Sequence, residues 1–271
     1  MAEDLENDIK QENTEPRQSS PNLSRYMVKG LSRQYQASVQ RAKIIAAIVG
    51  GILILFLAIF LMASVIAKDS KLSIGAEQAE GSITLSETIE GFSNPTNHLY
   101  APGIPEIDNV DGRTIPSNLT HLDGSNNGEN YFAYTFYLKN VSKSQTTVTL
   151  KMDIVYNVLN MADCMRVILY SANPYTEEME RHAYAAPAKD GSQEYLHYEL
   201  DPTGQTQGIG IEEDGLCESF LSYDQVAELK YVVAANDIVK FTLILYMEGG
   251  DNDCTNSVQF GGFGLSVVFT I

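Results

Sequence analysis

The sequence predicts a mainly β protein: one antiparallel β-sandwich, of jelly-roll or immunoglobulin-like type, behind a single transmembrane helix. Three observations support this prediction. An uncharged apolar segment in the N-terminal quarter of the chain is long enough to cross a bilayer. Several short segments after it alternate apolar and polar residues, which is typical of half-buried strands. These segments do not alternate with helical ones, as they would in a parallel βα sheet.

The apolar segment is Ile44–Ala67, 24 residues without a charge, in which Ser64 carries the one polar side chain. A helix of this length extends about 36 Å, and the hydrocarbon core of a bilayer is about 30 Å thick. The segment is therefore predicted to be an uncleaved signal anchor that contacts membrane lipid.

The charges that flank this segment predict its orientation. Six basic residues and no acidic residue lie between Arg17 and Lys43, and such an excess marks the cytosolic side. Residues 1–43 are therefore expected to be a cytosolic, largely disordered tail of a single-pass protein of the cell membrane. The alternative is a signal peptide cleaved after Ala67, but the apolar regions of signal peptides are about 7–15 residues long and lie nearer the N-terminus.

The region after Ala67 is strongly acidic. It holds 11 basic and 29 acidic residues, a formal charge of −18. Nucleic acid or an anionic lipid surface would need a basic patch, so both are excluded as partners of this region. Cations, basic protein surfaces and solubility alone remain compatible with the charge.

Residues 68–80 are interpreted as a stalk and residues 81–271 as an extracellular β-sandwich domain. Its first strand is predicted at Gly81–Glu87, before a loop over 92–128 that is rich in proline and glycine. Five later strands are predicted from alternation. Their inward residues are Phe132, Tyr134, Phe136 and Leu138; Val148, Leu150, Met152 and Ile154; Met165, Val167 and Leu169; Val239, Phe241, Leu243, Leu245 and Met247; and Leu265, Val267, Phe269 and Ile271.

The segments between these strands carry three further predictions. The turn VSKSQ, residues 141–145, is expected to join two antiparallel strands. Ala172–Cys217 is interpreted as a polar excursion with one short strand in EYLHYEL, residues 194–200. Ser222–Leu229 is predicted to be a helix of about two turns, because Ser222 and Gln225 have the spacing of a capping box.

Three parts of the chain together resemble a known family. They are the apolar segment followed by GSITLS, the run YFAYTFYLKNVSKSQTTVTLKMDI, and the distal DIVKFTLILYMEGGDNDC with GGFGLSVVFTI. From Ser73 to Ile271 the chain is similar to the camelysin/TasA-like exported β-sandwich proteins of Gram-positive bacteria. The resemblance implies a β-sandwich of the cell envelope. It also implies either assembly into extracellular biofilm-matrix fibres, by passing a strand to a neighbour, or the metalloprotease activity ascribed to camelysins.

A cation site is predicted in EGGDNDCTN, the loop between the last two strands. Its expected ligands are Glu248, Asp251, Asp253 and Asn256, whose oxygens suit a hard cation such as calcium, although the spacing is not that of an EF-hand. The alternative is a solvated hairpin loop, in which Asp and Asn favour turn conformations. No other cofactor is expected.

The three cysteines, Cys164, Cys217 and Cys254, are too few for a disulfide scaffold and lack the spacing of a zinc site. Cys217 and Cys254 are the candidate disulfide pair, since both lie in polar loop sequence. A fully reduced set is the alternative.

The sequence carries no catalytic signature. The histidines are His98, His121, His182 and His197, and they form neither an H-E-x-x-H motif nor a pair spaced i, i+4. No Gly-x-Ser-x-Gly motif indicates a serine nucleophile. The chain is therefore predicted not to be an enzyme.

The leading functional prediction is a membrane-anchored structural or interaction module of the cell envelope. It would associate with itself, by exchange of the strand Gly81–Glu87, or with other envelope proteins. One alternative is a secreted, camelysin-like metalloprotease. The other is a ligand- or carbohydrate-binding domain with a stacking surface of tyrosines. These tyrosines are Tyr175, Tyr184, Tyr195 and Tyr198.

Overall fold

The computed structural model of this chain describes residues 21–68, 71–76, 81–176, 178–200, 203, 206–208 and 215–271. They belong to two compact units, residues 1–63 and residues 64–271. Each unit is described by itself.

One long helix, α1 (Pro21–Lys68), dominates the first unit. Its segment Ser38–Ile59 is long and apolar enough to cross a membrane, and none of that segment is buried in the protein. The predicted disorder of residues 1–20 lies outside the described residues, but residues 21–43 are helical, contrary to the prediction of a largely disordered tail. The sequence permits this because no proline follows Pro21 within α1 and the basic and apolar residues there are compatible with a helix.

The second unit is built from strands, so the prediction of a mainly β domain is confirmed. Its strands are β1 (Lys71–Ala76), β2 (Ile83–Ser86), β3 (His98–Pro102), β4 (Gly124–Ser125), β5 (Tyr131–Asn140), β6 (Thr146–Val158), β7 (Met165–Ala172), β8 (Met179–Ala185), β9 (Tyr198–Leu200), β10 (Thr206–Gly208), β11 (Glu218–Ser219), β12 (Gln225–Val233), β13 (Ile238–Met247) and β14 (Gly262–Thr270).

These strands form two main sheets. The five-stranded sheet has the order β12-β6-β14-β1-β3, and the seven-stranded sheet has the order β11-β8-β7-β13-β5-β2, with β4 paired to β5. A small ribbon joins β9 and β10. Most neighbours are antiparallel, but β1 with β14 and β11 with β8 are parallel. The sheets are therefore mixed and not wholly antiparallel as predicted.

The inner faces of the two main sheets share one hydrophobic core, and the alternation in the sequence located it correctly. All the inward residues predicted from the sequence are buried there except three: Ile154 and Val239 are partly buried, and Ile271 is exposed. The Phe269 ring of the five-stranded sheet lies 6.0 Å from Phe136 and 5.4 Å from Phe241 of the other sheet, measured between ring centroids. Aromatic contacts thus join the two layers.

The outer face of the seven-stranded sheet is also covered. Ala133, Ile168 and Ile244 point to this face and form a second buried cluster with Leu119 and Cys217. The last two residues come from the segments predicted as loop and excursion. Strands β5 and β13 are therefore buried on both faces.

The predicted stalk contains a strand of the five-stranded sheet. β1 lies between β3 and β14, pairs with both, and buries Leu72 and Ile74 in the core. The expected hairpin around VSKSQ is also wrong, because β5 and β6 belong to different sheets and this turn crosses between them. A turn signal fixes a reversal of the chain but not which sheet receives the next strand.

The predicted helix Ser222–Leu229 is wrong as well. Ser222 caps a turn, in which its hydroxyl donates to Asp224 Oδ1 at 2.6 Å, and the chain then enters β12. Alternate residues of β12, Leu229 and Tyr231, pack against the core, and the strand pairs with β6 over most of its length. The alternation of inward and outward residues continues to Val233, beyond the four residues of the capping box. Pairing with β6 therefore outweighs the local preference for a helix.

The excursion and the proline-rich loop hold more strands than predicted. β3 and β4 lie within residues 92–128. β8 and β10 lie within Ala172–Cys217, where one strand was expected, and β11 follows directly after it. Within EYLHYEL, Tyr198–Leu200 is the part that forms a strand.

Replacing Phe269 with alanine tests the shared core. Its side chain is fully buried, so we expect F269A to lower the free energy of unfolding by about 3–5 kcal/mol, in urea titrations of the protein in detergent micelles. The matched control is F260A, since Phe260 is 89% exposed; we expect a change within about 0.5 kcal/mol. Equal losses in both variants would contradict the packing of the two sheets on each other.

Candidate functional site

The most unusual feature of the β domain is a fully buried arginine. Arg166 lies on β7, a strand whose other side chains are mainly apolar, and it points to the outer face of the seven-stranded sheet. Its Nη2 donates to Glu194 Oε2 and to Asp251 Oδ2, each at 2.7 Å, and both acids are buried as well. We call Arg166, Glu194 and Asp251 the buried charge centre.

Three chain segments meet at the buried charge centre. Arg166 comes from β7, and its Nε also donates to the carbonyl oxygen of Tyr195 at 2.6 Å. Glu194 is held by backbone pairing of its segment with residues 215–217, where the Cys217 N–H donates to its carbonyl oxygen at 2.9 Å. Asp251 sits in a tight turn, in which its Oδ1 accepts from the Asp253 N–H at 2.7 Å. One guanidinium therefore fastens the excursion and the loop after β13 to the sheet.

Tyr198 completes the surroundings of the charges. Its hydroxyl donates to Glu194 Oε2 at 2.6 Å, and its ring centroid lies 5.7 Å from Arg166 Cζ. Burial lowers the pKa of Arg166, but the attraction of the Asp251 and Glu194 carboxylates outweighs it and raises that pKa above its ordinary value. Burial raises the pKa of Glu194, although Arg166 and Tyr198 act in the opposite direction.

Glu248 is a second buried carboxylate beside this centre. Its Oε2 accepts from the Gly112 N–H at 2.9 Å, and its Oε1 accepts from the N–H groups of Tyr198 and Gly250, each at 3.3 Å. Burial raises the pKa of Glu248, while these three backbone bonds favour the ionised form. Glu248 thus joins the segment around Gly112 to the segment around Tyr198 instead of facing a ligand.

Two of the four expected cation ligands, Asp251 and Asp253, belong to one cluster of carboxylates, and Glu248 is not part of that cluster. Asp251 and Asp253 lie close to each other, and oxygens of both are within 4.8 Å of an oxygen of Glu194, which the sequence did not single out. Glu248 is engaged by backbone N–H groups, and Asn256 is exposed at the start of a short 3-10 helix. The cation that contacts Glu194 and Asp251 is the guanidinium of Arg166. An arginine near the start of an apolar strand was the available signal for buried acids nearby.

The cysteines are arranged differently from the predicted pair. All three are free thiols. Cys217 belongs to the cluster on the outer face of the seven-stranded sheet, whereas Cys254 packs against the core between the sheets. The cysteine next to Cys254 is Cys164, whose Sγ lies 3.5 Å from the carbonyl oxygen of Asp253 and whose thiol shifts the pKa of Cys254. Cys164 and Cys254 both lie on the side of the seven-stranded sheet that faces the core, and the spacing of cysteines in the sequence alone could not reveal this.

The histidines and tyrosines do not form the sites considered for them. Among the described residues, no histidine is part of a cluster of possible metal ligands. His182 contacts Glu180 and Glu218, and His98 and His121 are exposed on separate segments. Of the four tyrosines, Tyr184 is buried, Tyr195 and Tyr198 are half-buried and pack edge to face, and Tyr175 is 68% exposed.

Replacing Arg166 tests the buried charge centre. R166M removes the counter-charge of two buried carboxylates, so we expect the free energy of unfolding to fall by about 3–5 kcal/mol in urea titrations. R113M is the matched control, because Arg113 forms an exposed ion pair with Asp111 and should contribute little to stability. A loss in R166M no larger than in R113M would contradict the assigned role.

No protein-family model, curated protein or solved structure matches this chain. Its function is therefore inferred from its own residues and geometry.

Proposed function

We propose that this protein is a single-pass membrane protein whose β domain is displayed outside the cell as a structural or interaction module of a Gram-positive envelope. The observation that carries the proposal is the succession of elements. An apolar helix long enough to span a bilayer is followed, after residues 69 and 70 only, by β1 of the five-stranded sheet. In this proposal the helix anchors the β domain to a membrane.

Charge supports the proposed orientation. The basic residues before the apolar segment favour a cytosolic N-terminus. The acidic domain after it would be repelled by an anionic membrane surface, which favours a domain that projects from the membrane over one that lies on it. In this proposal the two packed sheets are a β-sandwich of the jelly-roll or immunoglobulin-like kind that the camelysin/TasA-like resemblance implies.

Epitope tags at the two ends of the chain test the topology. We expect a tag after Ile271 to bind antibody on intact cells whose wall has been removed, and a tag before Met1 to bind only after permeabilisation. A variant in which Lys43 and Arg41 are replaced by glutamate and lysines are added after Lys68 has its basic residues on the other side of the segment. In this variant we expect some or all chains to show the N-terminal tag, and not the C-terminal tag, on intact cells. A domain released into the medium without the N-terminal tag would show a cleaved signal sequence instead.

We further propose that displayed copies associate by exchange of β2. β2 is the last strand in the order of the seven-stranded sheet. It is joined to β5 by four residue pairs, Ile83 to Ser86 with Asn140 to Tyr137, and on its other side to Thr96 by one bridge at Leu85. Ile83 and Leu85 are fully buried, so this strand fills defined pockets of the core. β1 is less suited to exchange, because it has a partner on each side. An edge strand with buried anchors is the usual element of β-augmentation.

Membrane tethering decides the balance between closed and exchanged forms. The same pockets accept β2 from the same chain or from a neighbour, so the two forms differ mainly in the entropy of loop closure. That entropy grows only with the logarithm of loop length. A dense array raises the effective concentration of neighbouring strands and thereby favours exchange.

A mixed-cysteine experiment tests this association. Thr84 and Lys139 are directly paired across β2 and β5, at a spacing that suits a disulfide. With Cys164, Cys217 and Cys254 replaced by alanine, chains carrying T84C and chains carrying K139C are reconstituted together at high density in liposomes. We expect disulfide-linked dimers that join a T84C chain to a K139C chain.

The control combines T84C with K230C, because Lys230 is exposed on β12 of the other sheet and does not pair with β2. Dimers in equal yield with this control would indicate random collision. An absence of dimers at every density would contradict strand exchange and indicate a displayed domain that does not associate with itself.

A further inference from the structure

Two of the three thiols are held next to each other on the inner side of the seven-stranded sheet. Cys164 is fully buried at the end of a short 3-10 helix, immediately before β7. Its Sγ lies 3.5 Å from the carbonyl oxygen of Asp253, the residue before Cys254. The two thiols are also close enough that each shifts the pKa of the other. Cys254 is partly exposed, so one thiol of the pair is accessible from solvent.

We propose that Cys164 and Cys254 are a disulfide-forming site, closed by a small-molecule or protein disulfide that acts as the oxidant. A disulfide requires two β-carbons only about 3.5–4.5 Å apart, and it destabilises a fold whose backbone must move to form it. In this domain, hydrogen bonds already hold the backbone at both Cys164 and Cys254.

The hydrogen bonds around the pair fix both cysteines. The Glu248 N–H donates to the carbonyl oxygen of Cys164 at 3.0 Å, and the Cys254 N–H donates to the carbonyl oxygen of Asp251 at 3.0 Å. Asp251 is in turn bound by Arg166. The loop that carries Cys254 is thus fastened against the start of β7 before any covalent bond exists.

The reaction has a definite order. The interaction between the two thiols lowers the pKa of Cys254 and raises that of Cys164. Cys254 is therefore the thiol that ionises first, and it is also the accessible one. Its sulfur attacks the disulfide of the oxidant and expels one thiolate. Cys164 then attacks Cys254 Sγ and releases the second thiolate, which takes up the Cys164 proton as it leaves. Two protein thiols are oxidised to one disulfide, and the oxidant is reduced to two thiols.

Cys217 is expected to stay reduced. It is buried on the opposite face of the seven-stranded sheet, and burial raises its pKa to about 12. Both properties oppose attack on an oxidant. After oxidation we therefore expect one of the three thiols, that of Cys217, to remain free.

The bond would close a loop of about 90 residues and fasten the segment after β13 to the start of β7. It adds a covalent link beside the buried charge centre, at the place where Asp251 binds Arg166. Oxidation should therefore protect this part of the domain against unfolding without changing the fold.

The test uses the full chain, purified in detergent micelles under reducing conditions and then exposed to oxidised glutathione. We expect the number of titratable thiols, measured after denaturation, to fall from three to one. Peptide mapping should identify the pair Cys164–Cys254, and the thermal midpoint should rise and return on addition of dithiothreitol. Three thiols after prolonged oxidation, a stable glutathione adduct on Cys254, or a bond that includes Cys217 would each overturn the proposal.

Two variants separate the site from general oxidation. C254A changes the more exposed partner and should keep the reduced thermal midpoint nearly unchanged while abolishing its rise on oxidation. C217A should show the full rise and leave no titratable thiol after oxidation. A rise that persists in C254A would assign the effect to another group. Because oxidation is carried out in vitro, this result does not depend on the topology of the protein in the cell.

Discussion

The β domain depends on the way it accommodates one buried positive charge. A guanidinium removed from water is tolerated only where acids and hydrogen-bond acceptors surround it. Arg166 meets this requirement with Glu194, Asp251 and the Tyr195 carbonyl, which come from segments far apart in the sequence. The need to satisfy the charge therefore specifies where two long connections must dock. In this sense the arginine contributes more to the specificity of the fold than to its net stability.

The two long connections, the proline-rich loop and the excursion, pack on the seven-stranded sheet, which is why this sheet is buried on both faces. A sheet of a two-layer β domain usually turns its outer face to water, but here segments around Leu119 and Leu196 cover it. Polar groups beneath this cover find partners: Thr135 and Thr242 bond to each other at 2.9 Å, and the Tyr246 hydroxyl donates to the carbonyl oxygen of Leu196 at 2.6 Å. The long polar segments thus act as a third layer.

Sequence patterns predicted what depends on local periodicity and missed what depends on distant partners. The inward faces of five strands followed from alternation, because burying one face of a strand leaves a period of two. β1 was missed, since KLSIGA begins four residues after the apolar segment and is too short to establish a period. Asp251 and Asp253 were selected from the right loop, but Glu194 lies 57 positions earlier than Asp251 and its approach is a property of the tertiary fold.

The parallel contact of β1 with β14 has a consequence for the order in which the domain folds. Ser73 meets Ser266 at 3.0 Å across a sequence separation of 193 residues, whereas the other neighbour of β1 is the nearby β3. Contacts so distant in sequence form late and slowly. Until β14 arrives, β1 presents an unpaired edge, and such an edge recruits strands from other chains. The interval between the emergence of these two strands is therefore when the nascent domain most needs protection from its neighbours.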